Sequence, residues 1–225
     1  LVVGALPSRL GFAAMRAAID ARRPMVDVSF SAEDPLALDA EARRVGVTIA
    51  PDCGLAPGLS HLLAGRLSAA DGPPLELEMM VGGVAQDRAA PYGYVVTWSV
   101  EDLLEEYLRP ARIRRGGEER SEPALSDLRP DEVPGVGTME SFLSDGLRTA
   151  LATMPGVPDM AERTLRWPGH VEAIRPLVAS GDLVAELRAR CSAEPARDLV
   201  VLVVRARWRG HRVEARLVDR RDEAT

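Results

Sequence analysis

The chain has 225 residues, 46% of them hydrophobic and 28% charged, with a formal net charge of −6 at pH 7. That is enough apolar material for a core in one large or two small domains, and the acidic balance argues against nucleic acid or an anionic membrane as a main partner. No run approaches the ~20 apolar residues needed to span a bilayer.

Leu1 to Leu6 reads as a strand entering a Pro7-Ser8 turn, with Ser8 as N-cap of a helix over 9–22. Pro24 to Phe30 is the next strand, Ser31 to Arg44 the next helix, and Val45 to Ala50 a third strand ending at Pro51-Asp52-Cys53-Gly54. A helix from Pro57 to Leu67 follows. Short strands alternating with helices predict an α/β fold with a parallel, doubly wound sheet, right-handed crossovers and a ligand edge at the strand C-termini. Because Leu1 lies inside an apolar run, the sequence reads as part of something longer.

After Asp71-Gly72-Pro73-Pro74 the rhythm changes to α+β, which sets the expected boundary between domains 1–70 and 71–225. Leu75–Met80 and Tyr94–Trp98 read as strands. A helix starts at Ser99 and stops at Arg109-Pro110, with acids in its first turn to suit the positive helix end. The charged, Pro/Gly-rich stretch 115–136 reads as a loop or linker. Helices are expected at 138–153, 170–180 and 182–190, then antiparallel strands 198–208 and 211–218 turning at Arg209-Gly210.

All 28 basic residues are arginine. No Schiff-base, P-loop or general-base lysine can therefore come from this sequence. Cys53 and Cys191 stand in unlike contexts, which suits a reducing cytoplasm and neither a disulfide framework nor a thiolate zinc site. His61, His170 and His211 show no metal-ligand spacing, so no metal is expected. Gly135-Val136-Gly137 follows a proline rather than a strand and is rejected as a dinucleotide fingerprint.

The most informative segment is Asp52-Cys53-Gly54-Leu55-Ala56-Pro57-Gly58-Leu59-Ser60-His61. It places a tight turn at the sheet's ligand edge, where amides at the helix start can meet a carboxylate, phosphate or carboxamide. The same glycines would equally serve close packing. Arg109 and Arg166 lie beside turn-forming residues, where a guanidinium can clamp a carboxylate, although an arginine is more often a surface charge. His170 follows the Trp167-Pro168-Gly169 corner, and Cys53 offers a nucleophile in principle, although a small buried thiol is the commoner case.

The runs Val3 to Pro7, Val26 to Phe30, Asp52 to Leu59, Gly82-Gly83, Tyr94 to Ser99, Tyr107 to Ala111, Glu140 to Arg148 and Thr164 to His170 together resemble the saccharopine dehydrogenase family. Their joint order carries the likeness, and the last four look most like its lysine 6-dehydrogenase and saccharopine reductase branch. The resemblance implies a partial Rossmann-type parallel sheet followed by an α+β domain for substrate binding and dimerisation. It implies NAD or NADP as cofactor, a small amino-acid substrate oxidised at an amine-bearing carbon, and a homodimer. Leu6, Pro7 and Ser8, with Val28, Ser29 and Phe30, would line the cofactor and substrate cleft. Asp52, Cys53 and Gly54 would border the nicotinamide. Pro57, Gly58, Trp98 and Ser99 fall on the substrate's side, and Arg109 or Arg166 would hold its carboxylate. His61, Asp52 and His170 are the candidate bases. Two alternatives stay open: a non-catalytic fragment or paralogue that binds a ligand or partner, and a carboxynorspermidine dehydrogenase-like enzyme.

Overall fold

Three short parallel strands, β1 (Val2–Gly4), β2 (Met25–Asp27) and β3 (Ile49–Ala50), form one sheet in the order β1-β2-β3. These come from a computed structural model that describes residues 1–192 and 197–221. Helix α1 (Ser8–Asp20) connects β1 to β2, and a 3-10 turn (Pro35–Leu38) running into α2 (Asp39–Val45) connects β2 to β3. Met15, Ala18 and Ile19 of α1 pack with Met25, Leu38 and Ala42 to bury this layer. Gly11 lets α1 approach the end of β2, because a Cβ there would lie 1.7 Å from Ser29 Oγ.

Ser8 is the first helical residue of α1, not its cap. Its backbone N–H instead donates to the Asp102 carboxylate at 3.3 Å, so the helix end is satisfied from the other side of the molecule. Helix α3 (Leu59–Asp71) turns its Leu63, Ala64 and Leu67 onto Leu77, Met79, Met160 and Val204 of the second sheet. The expected boundary at 70/71 thus falls within the last turn of a helix that packs with what comes after it.

Among the described residues the second sheet has eight strands. Its main path runs β11 (Arg212–Arg220), β10 (Asp198–Arg207), β4 (Glu76–Ala85), β9 (Asp159–Arg166), β5 (Ala111–Arg115), β6 (Glu118–Glu122). From β9 a branch adds β8 (Gly137–Leu143) and then β7 (Arg129–Val133). Only the β4–β9 pair in this sheet is parallel among the described residues. Helices α4 (Val100–Leu108), α6 (His170–Ser180) and α7 (Leu183–Arg190) pack around Phe142, with Leu103, Tyr107, Ile174 and Leu187 in the same cluster. Ser99 caps α4 by accepting the Asp102 N–H at 3.2 Å.

Several expectations are corrected here. The stretch read as a linker, 115–136, holds the end of β5, all of β6 and β7, and a hairpin turn at Gly116-Gly117 in the left-handed region. Strand β6 is an exposed edge of charged residues, so its composition resembles that of a loop. Residues expected as a helix over 138–153 form β8 and only a short helix α5 (Thr149–Thr153). Tyr94–Trp98 is irregular. Strand β9 carries Glu162, Arg163 and Arg166 in a buried setting, a pattern with no apolar alternation to announce it. Among the described residues no helix is long and apolar enough to cross a membrane.

Phe142 is fully buried and Leu62 is 70% exposed. Replacing Phe142 with alanine should lower unfolding free energy by about 3–5 kcal/mol, while Leu62→Ala should stay within about 0.5 kcal/mol. Urea unfolding of the two variants checks this, and equal midpoints would contradict the packing described.

Candidate active site

The carboxyl ends of β2 and β3 face the second sheet, and what holds them there is a buried ion pair. Asp52 adopts φ +53° at the end of β3 and accepts from Arg148 Nε at 2.9 Å, from Thr149 Oγ1 at 2.8 Å and from the Thr149 N–H at 3.3 Å. Arg148 also donates to the Ser31 carbonyl at 2.6 Å. Both side chains of the pair are 2% exposed. The Phe30 ring meets two guanidinium groups, Arg109 at 4.5 Å and Arg148 at 5.2 Å from its centre.

This clamp leaves a cavity of about 360 Å³ between the sheets. Its first wall is Val28, Phe30 and the turn Gly54 to Pro57. That turn is closed by Gly54 N–H to the Pro57 carbonyl and Leu59 N–H to the Gly54 carbonyl, each 2.9 Å. A Cβ on Gly58 would lie 2.0 Å from Gly54 O, so this position requires glycine. The opposite wall comes from Val81 to Gly83 of β4, Trp98, Glu106 of α4, the loop Ser144-Asp145-Gly146, and Glu162, Thr164 and Arg166 of β9. Side chains alternate along a strand, so Glu162, Thr164 and Arg166 share one face.

Arg166 donates to Glu106 at 3.1 Å and, through Nε, to the Tyr107 hydroxyl at 3.1 Å. Tyr107 Oη stands 2.9 Å from His170 Nε2, and His170 Nδ1 stands 2.7 Å from the Tyr92 carbonyl. A carbonyl can only accept, so Nδ1 carries the proton and Nε2 accepts from Tyr107. Burial, then the Arg166 charge, pushes the His170 imidazole down to about 3. Burial pushes the Tyr107 hydroxyl up to about 12 and raises the Glu106 carboxyl, against which Arg166 works in both cases. Glu162 is pushed up to about 8, first by burial and then by Glu106 and Asp145.

The candidates from sequence divide clearly. Val28, Phe30, Gly54, Pro57, Trp98 and Arg166 line the cavity. Asp52, Cys53, Gly58, His61 and His170 are not among its lining residues. Asp52 is taken up by Arg148 and Thr149, and His61 Nε2 meets the Gly146 carbonyl at 3.2 Å while burial lowers its pKa. Cys53 is exposed, with its thiol 3.3 Å from the Ala50 carbonyl. Ser29 is buried and donates its hydroxyl and its N–H to Asp27. Pro7, Ser8, Ser99 and Arg109 border a separate cleft of about 640 Å³, and Leu6 is exposed outside both. Sequence reasoning missed Glu106, Ser144 and Glu162: Glu162 lies four positions before Arg166 on the same strand face, and Glu106 and Ser144 reach this wall through partners 60 and 18 positions away. Among the described residues no group of three or more His, Cys, Asp or Glu could hold a metal ion.

The first wall fits the nicotinamide end of a dinucleotide: apolar side chains, a glycine turn, and no basic side chain among its lining residues to compete for a phosphate. Room for a ring exists because a Cβ on Gly83 would meet nothing within 4 Å. At the end of β2, buried Asp27 keeps Oδ1 without a hydrogen-bond partner, an acceptor still lacking a donor.

Fold and site define a two-layered α/β protein whose Rossmann-type sheet edge faces a larger mixed sheet across one polar–apolar cavity. Residues 54–207 match the family described as Saccharopine dehydrogenase C-terminal domain, and the chain belongs to the saccharopine dehydrogenase family. It is 26% identical over 201 residues to saccharopine dehydrogenase [NADP(+), L-glutamate-forming] of Pyricularia oryzae, covering 83% of this chain and 44% of that protein. Its counterpart from Saccharomyces cerevisiae is 25% identical over 194 residues, covering 81% and 44%. The solved structure of apo saccharopine dehydrogenase (L-Glu forming) from Saccharomyces cerevisiae shares the fold, with a TM-score of 0.73 at 17% identity over 98% of this chain and 71% of that one. The chain thus spans less than half the length of the curated relatives it matches.

Asp52→Asn or Arg148→Met alone should cost about 3–5 kcal/mol of stability, and the double variant less than the sum of the two. Additive losses in a double-mutant cycle would contradict the clamp. His170 makes a second, pH-dependent contribution. Its folded pKa of about 3 lies below the ordinary 6.5, so the unfolded chain binds more protons between those values. Stability from this group is therefore present above pH 6.5 and lost as pH falls toward 3. His170→Gln should flatten that part of the stability–pH curve, and an unchanged slope would contradict the assignment.

Proposed function

We propose that this chain is part of a nicotinamide-dependent dehydrogenase that moves a hydride between the cofactor and an amine-bearing carbon of an amino acid, with saccharopine or lysine as the substrate class. The observation that carries the reading is one cavity that sets an apolar glycine turn at a parallel-sheet edge opposite Arg166, Glu106 and Glu162. The relatives' own activity, NADP-linked saccharopine dehydrogenase, supports the same class. NAD and NADP both remain within the proposal, as do the homodimer and the cytoplasmic setting.

The division of labour follows from the walls. When bound, the nicotinamide supplies the hydride acceptor. Val28, Phe30, Leu55 and Pro57 keep water from its ring, and Gly54 lets backbone approach it. On the other wall, Arg166 offers a buried guanidinium held rigid by Glu106 and Tyr107, suited to a substrate carboxylate. Thr164 and Ser144 add hydroxyls 2.8 Å apart at the cavity edge. Glu162, the carboxyl on this wall that has no guanidinium partner, favours a cationic amine.

Turnover is read as NAD(P)H absorbance with full-length protein and saccharopine, lysine or carboxynorspermidine. Reduction of either cofactor with one of the first two supports the proposal. Activity confined to carboxynorspermidine shifts the substrate class, and no reduction with any of them favours a non-catalytic binding protein. Gly83→Val adds bulk where the space is open, so it should fold normally and lower kcat/KM by about 10–200-fold. Unchanged kcat/KM in a folded Gly83→Val protein would place the substrate elsewhere.

A further inference from the structure

Three carboxyl groups line the cavity: Glu106, Asp145 and Glu162. Two have a guanidinium partner. Glu106 pairs with Arg166 at 3.1 Å, and Asp145 accepts from Arg112 Nε at 2.9 Å and Nη2 at 3.0 Å, with Arg109 4.0 Å away. Glu162 has neutral donors instead: Ser144 Oγ at 2.5 Å and the Gly146 N–H at 3.3 Å. Both fall on Oε2, which leaves Oε1 to meet whatever enters the cavity. A buried carboxyl without a counter-cation is costly to ionise unless a ligand brings a positive charge.

We propose that Glu162 is the group that takes the proton from the substrate's ammonium nitrogen. The assignment rests on the dehydrogenase reading above and adds the residue that prepares the amine for oxidation. The ammonium hydrogen-bonds to Glu162 Oε1 and gives up one proton, which leaves a nitrogen lone pair beside the carbon to be oxidised. That carbon then loses its hydrogen as hydride to the nicotinamide, so the substrate gives up two electrons and becomes an iminium while the cofactor is reduced. Water adds to the iminium carbon, the C–N bond breaks, and the products are a carbonyl compound and an amine. Glu162 holds the first proton and can return it to the departing amine or pass it to solvent.

The surroundings match that task. Glu106 on α4 and Asp145 after β8 disfavour the ionised form, as does burial; Ser144 and Gly146 favour it. Arg166 on the same strand, Arg109 and Arg112 beyond Asp145, and His61 of α3 across the Gly146 peptide complete the charged and titratable groups around it. A carboxyl balanced near the pKa of its proton donor exchanges that proton far better than one ionising at the ordinary value. The bases available elsewhere are already committed: Asp52 to Arg148 and Thr149, His170 to Tyr107 and the Tyr92 carbonyl.

Two measurements on the full-length protein decide the matter. Infrared titration of the unliganded protein should show a carboxyl that ionises near pH 8 and is missing in Glu162→Gln. In amine oxidation, kcat/KM should climb to a plateau through a limb near the same pH. Glu162→Gln should lose about 10²–10⁴-fold in kcat and the limb with it, and Glu162→Asp should recover part of both. Ser144→Ala removes a hydrogen bond to the ionised form, so it should move the carboxyl and the limb together to higher pH; this variant and Glu162→Asp carry the test if Glu162→Gln does not fold. The proposal is overturned if wild-type protein turns over and Glu162→Gln keeps the limb, or if no carboxyl ionises near pH 8. Wild-type protein that reduces neither cofactor removes the catalytic role by a separate route, because it removes the dehydrogenase reading itself.

Discussion

The buried contact between Asp52 and Arg148 fixes the distance between two sheets that share no backbone ladder. Each partner sits at a positive φ, +53° for Asp52 just after β3 and +41° for Arg148 at the start of α5. A flexible salt bridge on the surface would do little, since exposed pairs are screened and entropically costly. Here both charges are removed from water and satisfied by further donors and acceptors from Thr149 and Ser31, so separating them would strand a charge in the interior. Phe30, in contact with both Arg109 and Arg148, lies beside the pair, and Asp102 reaches from α4 to the first turn of α1. Three contacts of different kinds thus hold the sheets in one arrangement.

That arrangement gives the cavity its asymmetry. The wall from the parallel sheet is apolar side chain and glycine backbone; the opposite wall carries a guanidinium, three carboxyls and three hydroxyls. The proposed hydride transfer at an amine carbon needs both kinds of surface, one to exclude water from the ring and one to fix charge on the substrate. The network behind Arg166 is where rigidity comes from. Tyr107 accepts from Arg166 and donates to His170, which is anchored by the Tyr92 carbonyl, so the guanidinium has little freedom to follow a misplaced ligand.

The parallel layer and the turn at residues 52–58 were legible because they depend on local chemistry: apolar runs of strand length, punctuated by proline and glycine. The family was legible for a related reason, since its motifs sit at those same turns and strand ends. What escaped was governed by partners distant in sequence. Strand β9 has Glu162, Arg163 and Arg166 in its interior, and only Ser144, Asp127, Ser141 and Glu106, 18 to 60 positions away, make their burial tolerable. Strand β6 looked like a linker because an edge strand can be charged throughout. Ser8 looked like a helix cap, but its helix is capped by a carboxylate 94 residues downstream. Histidines drew attention as bases on residue type alone, whereas exposure to the cavity and lack of a counter-ion single out Glu162.

We propose that the space between the two sheets is where cofactor and amino acid meet. A crystal structure of the full-length protein with reduced cofactor and a substrate amino acid tests it most directly. The account predicts the nicotinamide against Gly54 to Pro57 and the amino acid's carboxylate on Arg166. Electron density for either molecule outside this cavity, with the walls in contact and the space filled by side chains, would contradict it.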